Sequence, residues 1–137
     1  MNKIIFFDNL KVDYRSKRIF LSFYIDLIMS ELKDLTELLL KFRDERDWKQ
    51  FHNSKDLALA ISIEASELNE LFLWKSNEDV DLEKLKEELA DVFSFGLLLA
   101  EKHKLNVSEI IKNKIKLNGE KYTVEKSKGT AKKYNQL

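Results

Sequence analysis

From residue 30 onward, apolar positions recur at three- and four-residue intervals, the repeat of a helix that buries one face. Leu32, Leu35, Leu38, Leu39 and Phe42 form the first stripe. It predicts a helix from about Ser30 to Asp47, with Ser30 as N-cap and Glu31 and Asp34 in the first turn. The stretch Trp48 to Asn53, which holds Trp48, Phe51 and His52, reads as a loop. A second helix is predicted from about Ser54 to Lys75, capped by Asn53 or Ser54. Its first half, Leu57 to Ile63, is almost wholly apolar and is expected to be buried on most sides. Ser76 to Asp81 is polar and reads as a loop. A third helix runs from about Leu82 to His103, with Asp79 or Asp81 as cap. The fourth begins at Asn106, where Asn106-x-x-Glu109 makes a capping-box-like pair, and continues to about Glu120. The polar, lysine-rich tail Thr123 to Leu137 reads as irregular and mobile unless it docks on something.

Residues 1–28 lack a clear period. Ile19 to Met29 is apolar and aromatic and follows Lys17 and Arg18, as a signal-peptide core would, but Asp26 interrupts it and no small-residue cleavage site follows. Two readings stand: an extension ahead of a true start at Met29, or an extra strand or helix. The expected organisation is an extension over 1–28, a helical domain over 29–122 and a basic tail over 123–137.

Composition narrows the class. The chain has 137 residues, no Pro and three Gly, which favours one all-α domain of few, long helices, a four-helix-bundle type. A chain this short often gains stability by oligomerising. There is no cysteine, which excludes disulfides and thiolate metal sites and fits a reducing cytoplasm. Lys and Arg number 24 against 24 Asp and Glu, so the total shows none of the basic excess of a nucleic-acid binder. No apolar run approaches the roughly 18 residues of a membrane span.

Two acidic pairs change the picture. The second helix carries Glu64-Ala-Ser-Glu67 and the third carries Glu88-Leu-Ala-Asp91, each spaced i, i+3 and so projecting from one side of its helix. An acidic pair on a helix is ordinarily a solvated face. Here Ala60, Leu68 and Leu71 share a side with Glu64 and Glu67, and Val92, Phe95 and Leu99 share a side with Glu88 and Asp91. Both pairs therefore sit on the stripe that faces the core. Buried carboxylates are paired or bind metal, and four together repel and raise their own pKa values. Mg²⁺ and Mn²⁺, hard ions that take oxygen ligands and substrate phosphates, resolve both problems. A di-iron bundle needs Glu-x-x-His pairs, which are missing, and His52 and His103 are not at zinc-ligand spacing.

At these residues the sequence resembles the MazG-like all-α nucleotide pyrophosphohydrolases, marked by Glu-x-x-Glu, a spacer, then Glu-x-x-Asp. The resemblance extends to Arg43-Asp-Glu-Arg-Asp-Trp-Lys-Gln-Phe-His52, similar to the mouth of the substrate pocket in the dCTP pyrophosphatase branch. It also includes Leu71-Phe-Leu-Trp-Lys75, Lys114-x-x-x-Asn118-x-x-Lys121-Tyr122 and Ser127-Lys-Gly-Thr-Ala-Lys-Lys-Tyr134. It runs from about residue 30 to the C-terminus. Lys121 stands where Arg is common, so a point charge replaces a two-pronged phosphate contact.

The resemblance implies hydrolysis of a nucleoside triphosphate to the monophosphate and pyrophosphate, with Mg²⁺ (or Mn²⁺) held by Glu64, Glu67, Glu88 and Asp91. It implies a homodimer or homotetramer whose sites can draw on more than one protomer. Periodicity alone makes Trp48 and Trp74 fillers of core or interface gaps; the resemblance places Trp48, His52 and Trp74 around a base. Lys114, Asn118 and Lys121, at i, i+4 and i+7, are candidates to hold triphosphate oxygens, with a solvated lysine face as the plain alternative and a metal or sugar hydroxyl as another for Asn118. Tyr122 either bonds a phosphate or anchors the helix end. His103, near a helix C-terminus, takes no catalytic role. The expected substrate is dCTP or a modified cytosine deoxynucleotide. The alternatives are dUTP or another non-standard deoxynucleotide and, in a different class, a non-catalytic oligomerisation module whose acidic cluster binds structural cations.

Overall fold

The computed structural model describes residues 31–76 and 79–136. The chain divides into two units between Leu35 and Thr36, and apart from the first residues of the opening helix the description below concerns the second. The expectations for residues 1–28, a start at Met29 and a cap at Ser30 lie outside the described residues.

Every regular element among the described residues is helical. Residues 31–44 form α1. This helix stops short of the expected end at Asp47, where the backbone turns left-handed with φ 53°. A short aspartate tolerates that conformation, and Gln50 secures the turn by donating to the Asp47 carbonyl and carboxylate at 3.0 and 2.9 Å. The expected loop then opens with a 3-10 turn, Trp48–Phe51.

Helix α2 spans Ser54–Glu70. Asn53 is its cap, its side-chain oxygen accepting from the Asp56 N–H at 3.0 Å. The helix ends five residues short of Lys75, passing into a turn over 71–74 in which Trp74 takes φ 62°. Helix α3 spans Leu82–Lys102, capped by Asp81, which accepts from the Glu83 and Lys84 N–H groups. Helix α4 spans Val107–Lys121, with Asn106 accepting from the Glu109 N–H at 3.1 Å. The tail is more ordered than its composition suggests. A short α5, Val124–Ser127, and a 3-10 turn, Tyr134–Gln136, bring Tyr134 edge-on against Tyr122 at 6.0 Å.

Helices α2 and α3 form the packed heart of the molecule. They run antiparallel: Ser54 Oγ, at the start of α2, lies 2.9 Å from His103 Nε2, just past the end of α3. Leu57, Leu98 and Ala100 are buried near that end. The expectation that the first half of α2 is buried on most sides fails within one chain. Leu59 and Ile63 are 53% and 55% exposed, because among the described residues α3 covers one side of α2 and nothing comparable covers the other. Helix α4 meets α2 and α3 only marginally. No described helix is long and apolar enough to cross a membrane.

Candidate metal and nucleotide site

The antiparallel pairing brings the two acidic pairs level. One carboxylate oxygen from each of Glu64, Glu67 and Glu88 lies within 4.8 Å of the others. Asp91, one turn further along α3, falls outside that set, yet its charge acts on both Glu64 and Glu88. Glu64 and Glu88 are half-buried, whereas Glu67 and Asp91 are exposed. Desolvation, then the neighbouring carboxylates, pushes Glu64 and Glu88 above the usual glutamate range. Among the described residues no lysine or arginine pairs with any of the four. A convergent set of hard oxygen donors with no cation of its own fits a divalent ion such as Mg²⁺.

His52 sits on the same side of the helix pair. The segment between α1 and α2 lays its ring edge-on against Phe95 of α3, with centroids 6.4 Å apart. Phe95 is four residues, one turn, beyond Asp91. The His52 Nδ1 atom is buried without a hydrogen-bond partner. Burial first, then the charges of Arg43 and Lys102, holds the imidazole pKa below its ordinary value. The ring is therefore neutral near pH 7 and offers one donor and one acceptor. Arg43 is itself buried and donates to the Asp44 carboxylate at 2.7 Å.

The aromatic residues separate. Trp48 packs edge-on against Phe42 of α1 at 5.9 Å, with the Arg46 guanidinium 3.6 Å above the Phe42 ring and 5.9 Å from the Trp48 ring. Trp74 is 95% exposed. The α4 residues are not brought to the carboxylates: Lys114, Asn118 and Lys121 are all exposed. Lys121 Nζ lies 5.3 Å over the Tyr134 ring, and Tyr122 packs on the same ring. Of the neighbours of the site, Phe95 was legible from the side it shares with Glu88 and Asp91, but nothing in the pattern pointed to the burial of Arg43.

Residues 59–137 match the MazG-like family. The dCTP pyrophosphatase 1 of Mus musculus is 36% identical over 114 residues, spanning 77% of this chain and 67% of the mouse protein. The Homo sapiens protein of that name is 32% identical over the same shares. Among solved structures, a pyrophosphatase from Archaeoglobus fulgidus DSM 4304 superposes with a TM-score of 0.62 at 36% identity, covering 68% of this chain and 93% of its own.

Proposed function

The chain belongs to the MazG-like family and is a nucleoside triphosphate pyrophosphohydrolase, and on that premise we propose that it cleaves dCTP, or a modified cytosine deoxynucleotide, to the monophosphate and pyrophosphate with Mg²⁺. The observation that carries this reading is the carboxylate cluster of α2 and α3, in a chain whose relatives are dCTP pyrophosphatases.

Glu64, Glu67, Glu88 and Asp91 would hold the metal. When bound, a divalent cation neutralises phosphate charge and polarises the scissile phosphoryl group. Glu64 or Glu67 accepts the proton of the water that attacks the α-phosphorus. Lys114, Asn118 and Lys121 hold phosphate oxygens and balance the charge that develops on the leaving pyrophosphate. Tyr122, edge-on to Tyr134, anchors the end of α4 beside Lys121. Trp48 and Trp74 supply aromatic faces for the base, and the neutral, unpartnered His52 supplies the hydrogen bond that reads its edge. A site tuned to a base edge rejects ligands that leave its buried polar atom unpaired.

The catalytic domain in this reading is 29–122, with 123–137 as a basic tail. The ligand is a free nucleotide of the cytoplasmic pool rather than a polymer. The working form is a homodimer or homotetramer. Pyrophosphate release from dCTP, dUTP, dTTP and dATP, with Mg²⁺ and with EDTA, tests the function. Release that is fastest on dCTP and abolished by EDTA is expected. Release that ignores EDTA overturns the metal assignment, and a ranking led by another nucleotide overturns the cytosine assignment.

A further inference from the structure

A guanidinium is seldom buried, because taking a charge out of water is costly unless the group is both paired and hydrogen-bonded. Arg43 of α1 is 9% exposed, the buried charged residue among those described. Its pairing is incomplete. Nε and Nη2 lie 2.7 and 2.6 Å from one and the same atom, Asp44 Oδ1. That exposed carboxylate balances the charge but occupies one side of the planar fork. Among the described residues no acceptor meets Nη1.

A second unsatisfied group lies nearby. His52 Nδ1 is buried without a partner, and the Arg43 charge reaches its ring. That ring stands edge-on to Phe95, on the carboxylate side of the helix pair. Buried polar atoms without partners require an explanation, and a ligand that satisfies them supplies one. Two properties define its chemistry. With Asp44 already opposite it, the remaining Nη1–Nη2 edge suits neutral acceptors rather than a second anion. The guanidinium is also a donor only, whereas a neutral imidazole presents an N–H or a lone pair according to its tautomer. Arg43 is therefore the group that dictates the edge of the ligand. Among the nucleobases, cytosine alone places two adjacent acceptors, O2 and N3, on its pairing edge, with an amino group beside them. Uracil and thymine put N3–H there, guanine puts N1–H and an amino group, and adenine offers one ring acceptor.

We propose that Arg43 is a specificity-determining residue, its Nη1–Nη2 edge donating to O2 and N3 of a cytosine base while His52 Nδ1 accepts from the 4-amino group. The inference rests on the pyrophosphohydrolase reading above and adds Arg43 as the residue that rejects uracil and thymine. A substituent at C5 leaves the pairing edge unchanged, so modified cytosines keep the same contacts.

The test alters the ligand and the protein together. Pyrophosphate release is measured from dCTP, 5-methyl-dCTP, 3-deaza-dCTP, which lacks the N3 acceptor, and dUTP. In the wild type, kcat/KM should be similar for the first two and about 10–100-fold lower for 3-deaza-dCTP and dUTP, the range for one two-pronged contact. Arg43→Lys keeps the charge and loses the fork. It should bring dCTP and 3-deaza-dCTP near parity while the His52 ring, followed by NMR, still titrates low. Equal use of dCTP and 3-deaza-dCTP by the wild type overturns the inference whether or not the variant folds, and so does a gap that Arg43→Lys preserves. Calorimetric binding of dCMP and 3-deaza-dCMP in EDTA separates this claim from the catalytic one. A preference for dCMP that disappears in Arg43→Lys, in a protein inactive on every triphosphate, would sink the pyrophosphohydrolase reading and uphold the role of Arg43. Equal affinity for the two monophosphates, or none for either, overturns that role.

Discussion

Glu67 and Asp91 are the two exposed members of the cluster, so their carboxylates contribute little to packing. Glu67→Gln and Asp91→Asn should leave the circular dichroism spectrum unchanged while kcat on dCTP falls about 10²–10³-fold, the range for losing one preorganised electrostatic group. Activity near wild type in either variant would remove that residue from the site. His52 gives a second expectation at this scale. Its pKa is lowered by burial and by Arg43 and Lys102. With the folded pKa below the unfolded one, the unfolded state binds more protons between the two values. Stability is thus full above the ordinary histidine pKa of about 6.5 and declines as pH falls through it. Arg43→Gln should raise the His52 pKa toward that ordinary value in an NMR titration, and Arg43→Lys should leave it low. Equal titration in both variants would show that the Arg43 charge does not govern the ring. The convergence of the carboxylate pairs was legible in the sequence from their shared spacing on apolar stripes, but the expectation that both pairs face the core holds only for Glu64 and Glu88, since Glu67 and Asp91 lie at the solvent edge of the helix pair and are exposed. The neighbours of His52 were not, because contact between residues 43 and 52 and between 52 and 95 is tertiary and leaves no local period.

The helix starts were legible for a related reason. Asn53, Asp81 and Asn106 cap α2, α3 and α4 through their own side chains, and such caps act within three residues of sequence. Asp81→Ala should lower stability by about 1 kcal/mol, read from urea unfolding. Helix ends were less legible. Helix α2 stops at Glu70 and Trp74 adopts φ 62°, a left-handed conformation that a bulky side chain gives no reason to expect. The end of α3 is a Schellman motif: the Leu105 N–H donates to the Ala100 carbonyl and the Lys104 N–H to that of Glu101, both at 2.9 Å. Lys104 occupies the left-handed position with φ 55°, where glycine is at home. Lys104→Gly forfeits an exposed ion pair with Glu101, worth little in water, and relieves the left-handed strain of about 1–2 kcal/mol. The greater backbone freedom of unfolded glycine offsets part of that gain. Net stabilisation of about 0.5–1 kcal/mol is expected, and a loss of stability would show that the ion pair outweighs the strain.

For the whole molecule, periodicity identified the faces that require burial but not what buries them. The four-helix pattern is all-α as expected, yet Leu59, Ile63 and Phe93 remain exposed on the α2–α3 pair, Phe93 by 65%. A sequence encodes the apolar stripe; whether the covering surface comes from the same chain or another depends on docking geometry, which no local pattern specifies. A chain of 16.2 kDa with so few buried side chains among its described residues should not persist as a monomer. Light scattering at micromolar concentration should give a mass of two or four chains. The thermal midpoint should rise with protein concentration, since association stabilises only the folded state. Phe93→Glu places a charge where an apolar face is to be covered and should shift the population toward monomer, lowering the midpoint and the turnover rate together. A monomeric mass for the wild type, with a midpoint independent of concentration, would show that no second copy covers these faces in solution.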